Sequence, residues 1–446
     1  MRMVVVGGGM AGARLAQRLA PSGADVTVIG EERHAPYNRV LLAEVLAGRY
    51  APEVVALPGV PGTVVRRGVR VVRIDRDERA VVCDDGGVVR YDRLVLATGS
   101  NPVLPPLRGL FAEDGGTFPE GVHAFRTMDD CLALSAAVRP GARAVVVGGG
   151  LLGVSAARAL AARGAQVVVA TQGEHLMERH LDEAASQLLR AHLEGLGVEV
   201  HTQCRVRGLL TQDEDGVGVA RPSRRLRPSV AARTGGGFAA ARPLTLPRGA
   251  AGDGRAARSV VTAVELADGY RLGTDLVVLA CGVRPRVGLA QAAGLAVAKG
   301  VVVDDALRTS DPSVHAIGDC AQHGGVVYGL AGPATEQADA LADVLTADPA
   351  PRYGGTRSLT RLTLNGPAAL DIASFGETTP APGDDVLRLA DATRGAYRKV
   401  VLRGDRLVGG ILLGDLGTVG ALARTWEGDE PLPVPPLHLL TDNGGS

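Results

Sequence analysis

Two stretches of the chain share one order of apolar and polar positions. Met3 to Val6 is a short, fully apolar run. Gly7, Gly9 and Gly12 follow it, Ala13–Ala20 then places apolar residues at helical spacing, and Asp25–Ile29 returns to β-rich composition. The succession starts again at Ala144–Val147, passes through Gly148, Gly150 and Gly153, runs along Val154–Arg163 and ends in Gln166–Val169. A short apolar run bounded by turn residues reads as a buried strand, and a 3.6-residue period as an amphipathic helix. Strand, glycine loop, helix, strand is therefore expected twice.

The pattern that follows each unit is also repeated. In the first, a helical stretch at Val40–Ala47 precedes short β runs at Val69–Ile74, Ala80–Val82 and Val88–Tyr91. A buried strand, Leu94–Leu96, then ends in Ala97-Thr98-Gly99. In the second, a helix over Asp182–Leu196 precedes β runs at Val198–Thr202, Val260–Leu266 and Tyr270–Leu272, and Leu276–Leu279 ends in Ala280-Cys281-Gly282. This reads as a duplicated unit. A strand at Val301–Asp304 then leads toward Asp319, a helix is expected over Ala334–Leu345, and β runs at Leu359–Leu364, Lys399–Leu402 and Leu407–Leu413 suggest a small α+β tail. Pro431–Pro436 reads as an extended end.

The expected class is α/β: two Rossmann-like dinucleotide-binding domains and a small C-terminal α+β domain. The first domain takes residues 1–112 and returns at 284–350, the second takes 113–283, and the third 351–446. Residues 216–259 are rich in Arg, Ala, Gly and Pro, nearly free of acid, and without periodicity. They read as a disordered insertion in a β-hairpin loop; a basic arm docking an acidic partner is the alternative.

Composition excludes more than it assigns. A chain of 446 residues is too long for one core. Its 48 basic and 48 acidic residues leave no net field for nucleic acid or membrane, and 3% aromatics leave little surface for base stacking. No signal peptide pattern or membrane-length apolar run is present, so the cytoplasm is the expected location. Five scattered cysteines form no C-x-x-C pair and no metal-ligand spacing. Lysine occurs only at Lys299 and Lys399.

The chemistry lies in the two G-x-G-x-x-G loops. Such glycines allow a tight turn, close approach of backbone to a pyrophosphate, and close helix–strand packing. The helix N-terminus behind them offers free N–H groups and a positive dipole end. Two loops imply two dinucleotides, and two dinucleotides imply electron transfer between them.

Together with the late Gly318-Asp319, the two loops resemble the two-dinucleotide flavoproteins of the glutathione-reductase type. His34-Ala-Pro-Tyr37-Asn38-Arg39, Leu176-Met177-Glu178-Arg179-His180-Leu181-Asp182, Gly282-Val-Arg-Pro285, Thr309-Ser-Asp-Pro312, Val327-Tyr-Gly-Leu330 and Tyr397-Arg-Lys399 are similar to the flavin module of NAD(P)H nitrite reductase large subunits. The resemblance implies FAD held by Gly7, Gly9, Met10, Ala11, Gly12, Glu31, Glu32, Arg39, Val71, Ala97, Thr98, Gly99, Arg126, Gly318 and Asp319. It implies a nicotinamide cofactor at Gly148, Gly150, Leu151, Leu152, Gly153, Thr171, His175, Arg179 and Gly282. No catalytic side chain is required. The iron–sulfur and sirohaem modules of those enzymes have no cysteines here to hold them after residue 320. The implied activity is that of an FAD-dependent NAD(P)H oxidoreductase feeding an iron–sulfur or sirohaem protein of a nitrite or nitrate system. A flavin oxidase or monooxygenase acting on an organic substrate is the alternative, and monomer and homodimer both stay open. A disulfide reductase would need a cysteine within residues 40–48, where there is none.

Two positions depart from that pattern. Thr171 stands where an acid would hold the NADH ribose, which tilts the expectation toward NADPH, with His175 or Arg179 on the 2′-phosphate. The chain is also similar to ferredoxin and rubredoxin reductases: Ser155 stands where the superfamily often carries a glutamate and Glu44 where relatives of the ferredoxin-reductase type carry the lysine that pairs with it, so that ion pair is expected to be missing.

Overall fold

The computed structural model describes residues 1–111, 116–213, 259–391, 393–429 and 431–432. The Arg-rich insertion lies outside them except for Ser259, as does the extended terminus beyond Leu432.

Each glycine-loop unit is built on a five-stranded parallel sheet. In the first the order is Val314–Ala316, Arg93–Leu96, Arg2–Val6, Asp25–Gly30 and Val64–Arg67. In the second it is Val122–Ala124, Leu276–Leu279, Arg143–Val147, Gln166–Ala170 and Val198–His201. The registers coincide. Val6 faces Ile29 and Leu96, and Val147 faces Ala170 and Leu279. Strands covered on both faces are continuously apolar, which is why these runs were legible in sequence.

Helices Met10–Leu19 and Leu151–Ala162 follow the two loops. A three-stranded meander accompanies each sheet: Val71–Asp75, Ala80–Cys83 and Val88–Arg90 in the first unit, and Val206–Asp213, Ser259–Leu266 and Arg271–Gly273 in the second. The chain crosses between units through an antiparallel ribbon of Ser100–Pro102 and Val283–Pro285. The third part is a five-stranded antiparallel sheet, ordered Leu359–Leu364, Leu370–Gly376, Arg406–Leu413, Ala396–Arg403, Asp385–Asp391, with helix Val419–Gly428 against it.

Several elements had no sequence expectation. Edge strand Val64–Arg67 exposes both of its valines, so no buried alternation marks it. Helix Met128–Ala137 buries only Met128, Cys131 and Leu134. Its signal was the capping box, Thr127 with Asp130, in which each side chain bonds the other's backbone N–H.

One apolar core joins three parts of the chain. Tyr37, Leu42 and Leu46 from the first unit pack with Val146, Leu160 and Leu189 of the second and with Ile372, Ile411 and Leu413 of the C-terminal sheet. Leu413→Ala removes a fully buried side chain from that shared core and is expected to cost about 2–5 kcal/mol. In urea unfolding the second unit and the C-terminal sheet should lose structure in one shifted transition, rather than the sheet alone.

Candidate functional site

The two glycine loops have the same geometry. Gly7 has φ +123°, and a Cβ there would lie 2.0 Å from the Ala97 carbonyl oxygen. One on Gly12 would lie 2.1 Å from the Gly7 carbonyl oxygen. Gly148, at φ +120°, stands 2.4 Å from the Ala280 oxygen on the same measure, and Gly153 stands 1.9 Å from the Gly148 oxygen. Each loop is thus folded on itself and on the closing strand by backbone contact. Of the middle glycines, Gly150 faces open space and a Cβ on Gly9 would lie 3.9 Å from Arg39 Nε; both cap their helices with no side-chain hydrogen bond. Neither first turn carries an acid. The free N–H groups of both helices are left for an anion.

Most residues expected on the flavin side are linked by direct contacts. Glu32 accepts from the Tyr37 hydroxyl at 2.8 Å and pairs with Arg39, whose other nitrogen reaches the Arg126 carbonyl at 3.0 Å. Burial works against the charge on Arg39, but Glu32 outweighs it and holds the guanidinium above its usual range. Arg126 donates to Asp319 at 2.6 Å and to the Ser100 hydroxyl at 2.8 Å, and that hydroxyl donates to Asp319 at 2.7 Å. The buried Nε of Arg126 has no partner, and burial pulls this guanidinium down against the pull of Asp319.

Gly318 has φ +75° and donates its N–H to Gln337 at 2.7 Å; a Cβ on it would lie 3.2 Å from Ala11. Thr98 and Glu31 both engage Arg286, through its carbonyl and its guanidinium respectively. Gly99, at φ +69°, accepts from the Arg286 N–H. Val71 stands apart: its side chain is buried in a separate core with Met3, Leu15 and Leu94 of the first unit, three residues beyond Gly68, whose N–H meets the Glu32 carbonyl. Ser100, Gln337 and Arg286 were not singled out from sequence. Ser100 alone had a signal, directly behind Thr98-Gly99.

On the second side, sheet register sharpens the expectation. The Gly7 N–H meets the Ile29 carbonyl and the Gly148 N–H meets that of Ala170. Thr171 therefore matches Gly30, and the acids Glu31 and Glu32 match Gln172 and Gly173. Thr171 is 8% exposed and packs on Gly149, where a Cβ would lie 2.9 Å from it. A carboxylate still reaches this corner from further along: Glu178 lies 2.5 Å from where a Cβ on Gly173 would be. His175 holds the Leu181 carbonyl through Nε2 at 3.2 Å, which leaves its other ring nitrogen an acceptor when neutral. Arg179 is exposed. Leu151 and Leu152 open the helix half-buried, and Gly282, at φ +95°, opens on empty space.

The expected loss of an ion pair is corrected by the structure. Glu44, 4% exposed, pairs with Arg158, 3% exposed. Glu44 lies on the short helix Leu42–Leu46 of the first unit and Arg158 on the helix behind the second glycine loop. Arg158 is one turn beyond Ser155, whose hydroxyl turns back to the Leu151 carbonyl at 2.7 Å. The signs are exchanged and the partner has moved along the helix, so comparing position 155 alone hid the pair.

No thiol chemistry is set up here. All five cysteines are free. Burial pushes the Cys281 thiol up to about 11 and raises that of Cys320. Among the described residues no cluster of His, Cys, Asp or Glu could hold a metal ion, and no helix is long and apolar enough to cross a membrane.

Two matched loops joined by one ribbon define a two-dinucleotide oxidoreductase fold. Comparison with known proteins agrees. A family model described as pyridine nucleotide-disulphide oxidoreductase matches residues 1–226 and 242–338, and one described as rubredoxin NAD+ reductase C-terminal domain matches 363–425. The chain belongs to the pyridine nucleotide-disulphide oxidoreductase family. That family implies FAD and NAD(P)H as cofactors.

The chain is 31% identical over 422 residues to an assimilatory nitrate reductase electron transfer subunit of Bacillus subtilis, covering 93% of this chain and 48% of that one. It is 32% identical over 326 residues to a probable ferredoxin reductase of Castellaniella defragrans, covering 71% of this chain and 67% of that one. The crystal structure of a ferredoxin reductase from Rhodopseudomonas palustris superposes with TM-score 0.76 at 25% identity, covering 97% of this chain and 95% of that one. The chain spans about half the length of the first of these relatives.

Removing one member of the Glu44–Arg158 pair would leave a buried charge without its partner. Glu44→Leu alone strands Arg158 and is expected to destabilise by about 3–5 kcal/mol, whereas adding Arg158→Met should recover most of that loss. Thermal unfolding of the two variants and of the parent tests this; equal losses in single and double variants would refute the pairing.

Proposed function

We propose that this chain carries electrons from NAD(P)H through FAD to a separate iron–sulfur or sirohaem protein of nitrite or nitrate reduction. The observation that supports it most is the doubled cradle. Two loops of matched geometry, each closed by backbone contacts that exclude any Cβ, stand on two matched sheets, and burial raises the thiols of Cys281 and Cys320 that adjoin them. The relatives in nitrate assimilation and the ferredoxin reductases favour a protein acceptor over a small organic substrate. Five free cysteines fit a reducing, cytoplasmic setting.

The residues present fit both cofactors. In this reading the N–H groups behind Gly7, Gly9 and Gly12 hold the FAD pyrophosphate, with Met10 and Ala11 in the first helical turn. Glu32, kept in place by Tyr37 and Arg39, takes the adenosine ribose, with Glu31 beside it. Asp319, fixed by Arg126 and Ser100, takes a hydroxyl of the ribityl chain, while Ala97, Thr98, Gly99 and Gly318 supply backbone contacts. The unsatisfied Nε of Arg126 marks a donor aimed at a ligand. Bound there, FAD would supply the capacity to take a hydride and to release electrons singly. The second loop, Gly148 to Gly153, holds the nicotinamide cofactor's pyrophosphate, and the crossing ribbon fixes Gly282 beside it. The chain's own task is alignment and exclusion of water.

NADPH is the favoured donor in this reading. The positions that match Glu31 and Glu32 are Gln172 and Gly173, neither an acid, and beyond Thr171 the nearest exposed cation in sequence is Arg179. Glu178 opposes this and would repel a 2′-phosphate unless it turns outward. His175 is the weaker phosphate ligand because Nε2 is engaged.

Anaerobic mixing with each nucleotide tests the reading. NADPH should bleach the visible flavin band faster than NADH; bleaching by neither would overturn the function. Arg179→Ala should lower the NADPH-to-NADH ratio about tenfold, the worth of one charge-assisted hydrogen bond, while Glu178→Gln should raise it. Gly153→Ala should abolish bleaching while leaving FAD bound.

A further inference from the structure

The stretch between strand Gln166–Ala170 and helix Glu183–Gly195 carries Thr171, His175, Glu178 and Arg179, the residues that the reading above sets at the nicotinamide cofactor's adenosine ribose. Its middle is held to the glycine loop, because the Met177 N–H donates to the Gly149 carbonyl at 2.9 Å. To do so Met177 takes φ +52°, a left-handed backbone that a side-chain-bearing residue adopts only when its surroundings impose it. The Met177 carbonyl then accepts from His180 and Leu181 at 2.7 and 2.9 Å, which closes a tight turn.

The residue that follows the turn is tied to the C-terminal sheet. Asp182, directly after the turn, uses one oxygen to cap helix Glu183–Gly195 through the Ala185 N–H at 3.1 Å. Its other oxygen accepts from the Tyr397 hydroxyl at 2.8 Å and from Lys399 at 3.0 Å. Lys399 is 2% exposed and its second partner is the Thr378 carbonyl at 2.8 Å. Burial alone would raise the Asp182 carboxyl; the Ala185 N–H, Lys399 and Tyr397 outweigh it and hold it below the usual range. An ordinary interface does not need this arrangement. Apolar contacts already join the two parts, and a buried lysine on a carboxylate adds little net stability while fixing one geometry. Such a contact specifies position.

We infer that Lys399 and Tyr397 of the C-terminal sheet are positioning residues for the nicotinamide cofactor, acting through Asp182 on the turn that holds the second glycine loop. The inference rests on the NAD(P)H reading above. It assigns the C-terminal sheet a part in cofactor affinity, a role distinct from packing. When the clamp is cut, the turn at Met177 relaxes from its left-handed backbone and the Gly149 carbonyl loses its partner. The ribose corner then loses its shape while the flavin side, held by Arg126 and Asp319, keeps its own.

The test uses the full chain with FAD bound and measures anaerobic flavin reduction against nucleotide concentration. Lys399→Met and Tyr397→Phe should raise the KM for the nucleotide about tenfold and threefold. The saturating rate and FAD content should stay within twofold of the parent. Asp182→Asn retains an oxygen to cap the helix but loses the charge, and should match Lys399→Met. Combining these two should raise KM no further, the signature of one shared interaction. Lower thermal midpoints with unchanged KM in all variants would reduce the contact to packing and overturn the inference. Should Lys399→Met fail to fold, Tyr397→Phe and Asp182→Asn carry the same comparison. If the parent chain itself is not reduced by, and does not bind, either nucleotide, the functional reading falls and this inference falls with it. A parent that is reduced normally beside variants of unchanged KM overturns the positioning role alone.

Discussion

Everything in this molecule is arranged around a contact that leaves no room for a side chain. Gly12 sits on the Gly7 carbonyl, Gly7 on the Ala97 carbonyl, and the second loop repeats both contacts through Gly153, Gly148 and Ala280. That closeness turns each chain at the end of its first strand and aims a helix N-terminus back over the sheet. The parallel order of strands follows, because a strand, a helix and a second strand can close only by a right-handed crossover. The closing strands must then end in glycine as well, and Gly99 and Gly282 both adopt positive φ there.

The two copies of this contact have diverged in what surrounds them. The first is ringed by charge paired to charge: Glu32 with Arg39, Asp319 with Arg126, Glu31 with Arg286. The second has few charges at the loop, with a threonine at the strand end, and most of its order comes from apolar packing and from Asp182. The buried Glu44–Arg158 pair ties the two together. It spans 114 residues of sequence and joins a helix of each unit. A charge pair with exchanged signs serves the same electrostatic end, since the energy depends on the product of the charges and not on which element carries which.

How much of this could be read in the sequence depended on range. The glycine loops, their strands and helices, and the Ala97-Thr98-Gly99 and Ala280-Cys281-Gly282 closures are set by neighbours within a few residues, and they were legible. Edge strand Val64–Arg67 was not, because an exposed edge needs no apolar alternation. Helix Met128–Ala137 hid its period by burying only three side chains. The swapped pair was misread because the sequence shows position 155 but not that Arg158 shares its helix face. Asp182 and Lys399 stand 217 residues apart, and no local pattern marks them as partners. What the sequence withheld was contact between charges far apart along the chain.

Those distant charges also explain why the C-terminal sheet belongs to the site. The core formed by Leu160, Leu189, Ile411 and Leu413 is continuous, so apolar packing alone already fixes the sheet against the second unit. Dispersion contacts are many, individually weak and without preferred direction, so they hold the surfaces together without naming one partner for each group. A buried lysine with a single carboxylate does not tolerate small slips, since a shift of an ångström strands a charge in low dielectric. The core supplies adhesion and Lys399 supplies register. In the proposed reading, a loop that presents its N–H groups to a phosphate needs the second as much as the first, since misplacement by about 1 Å is already costly.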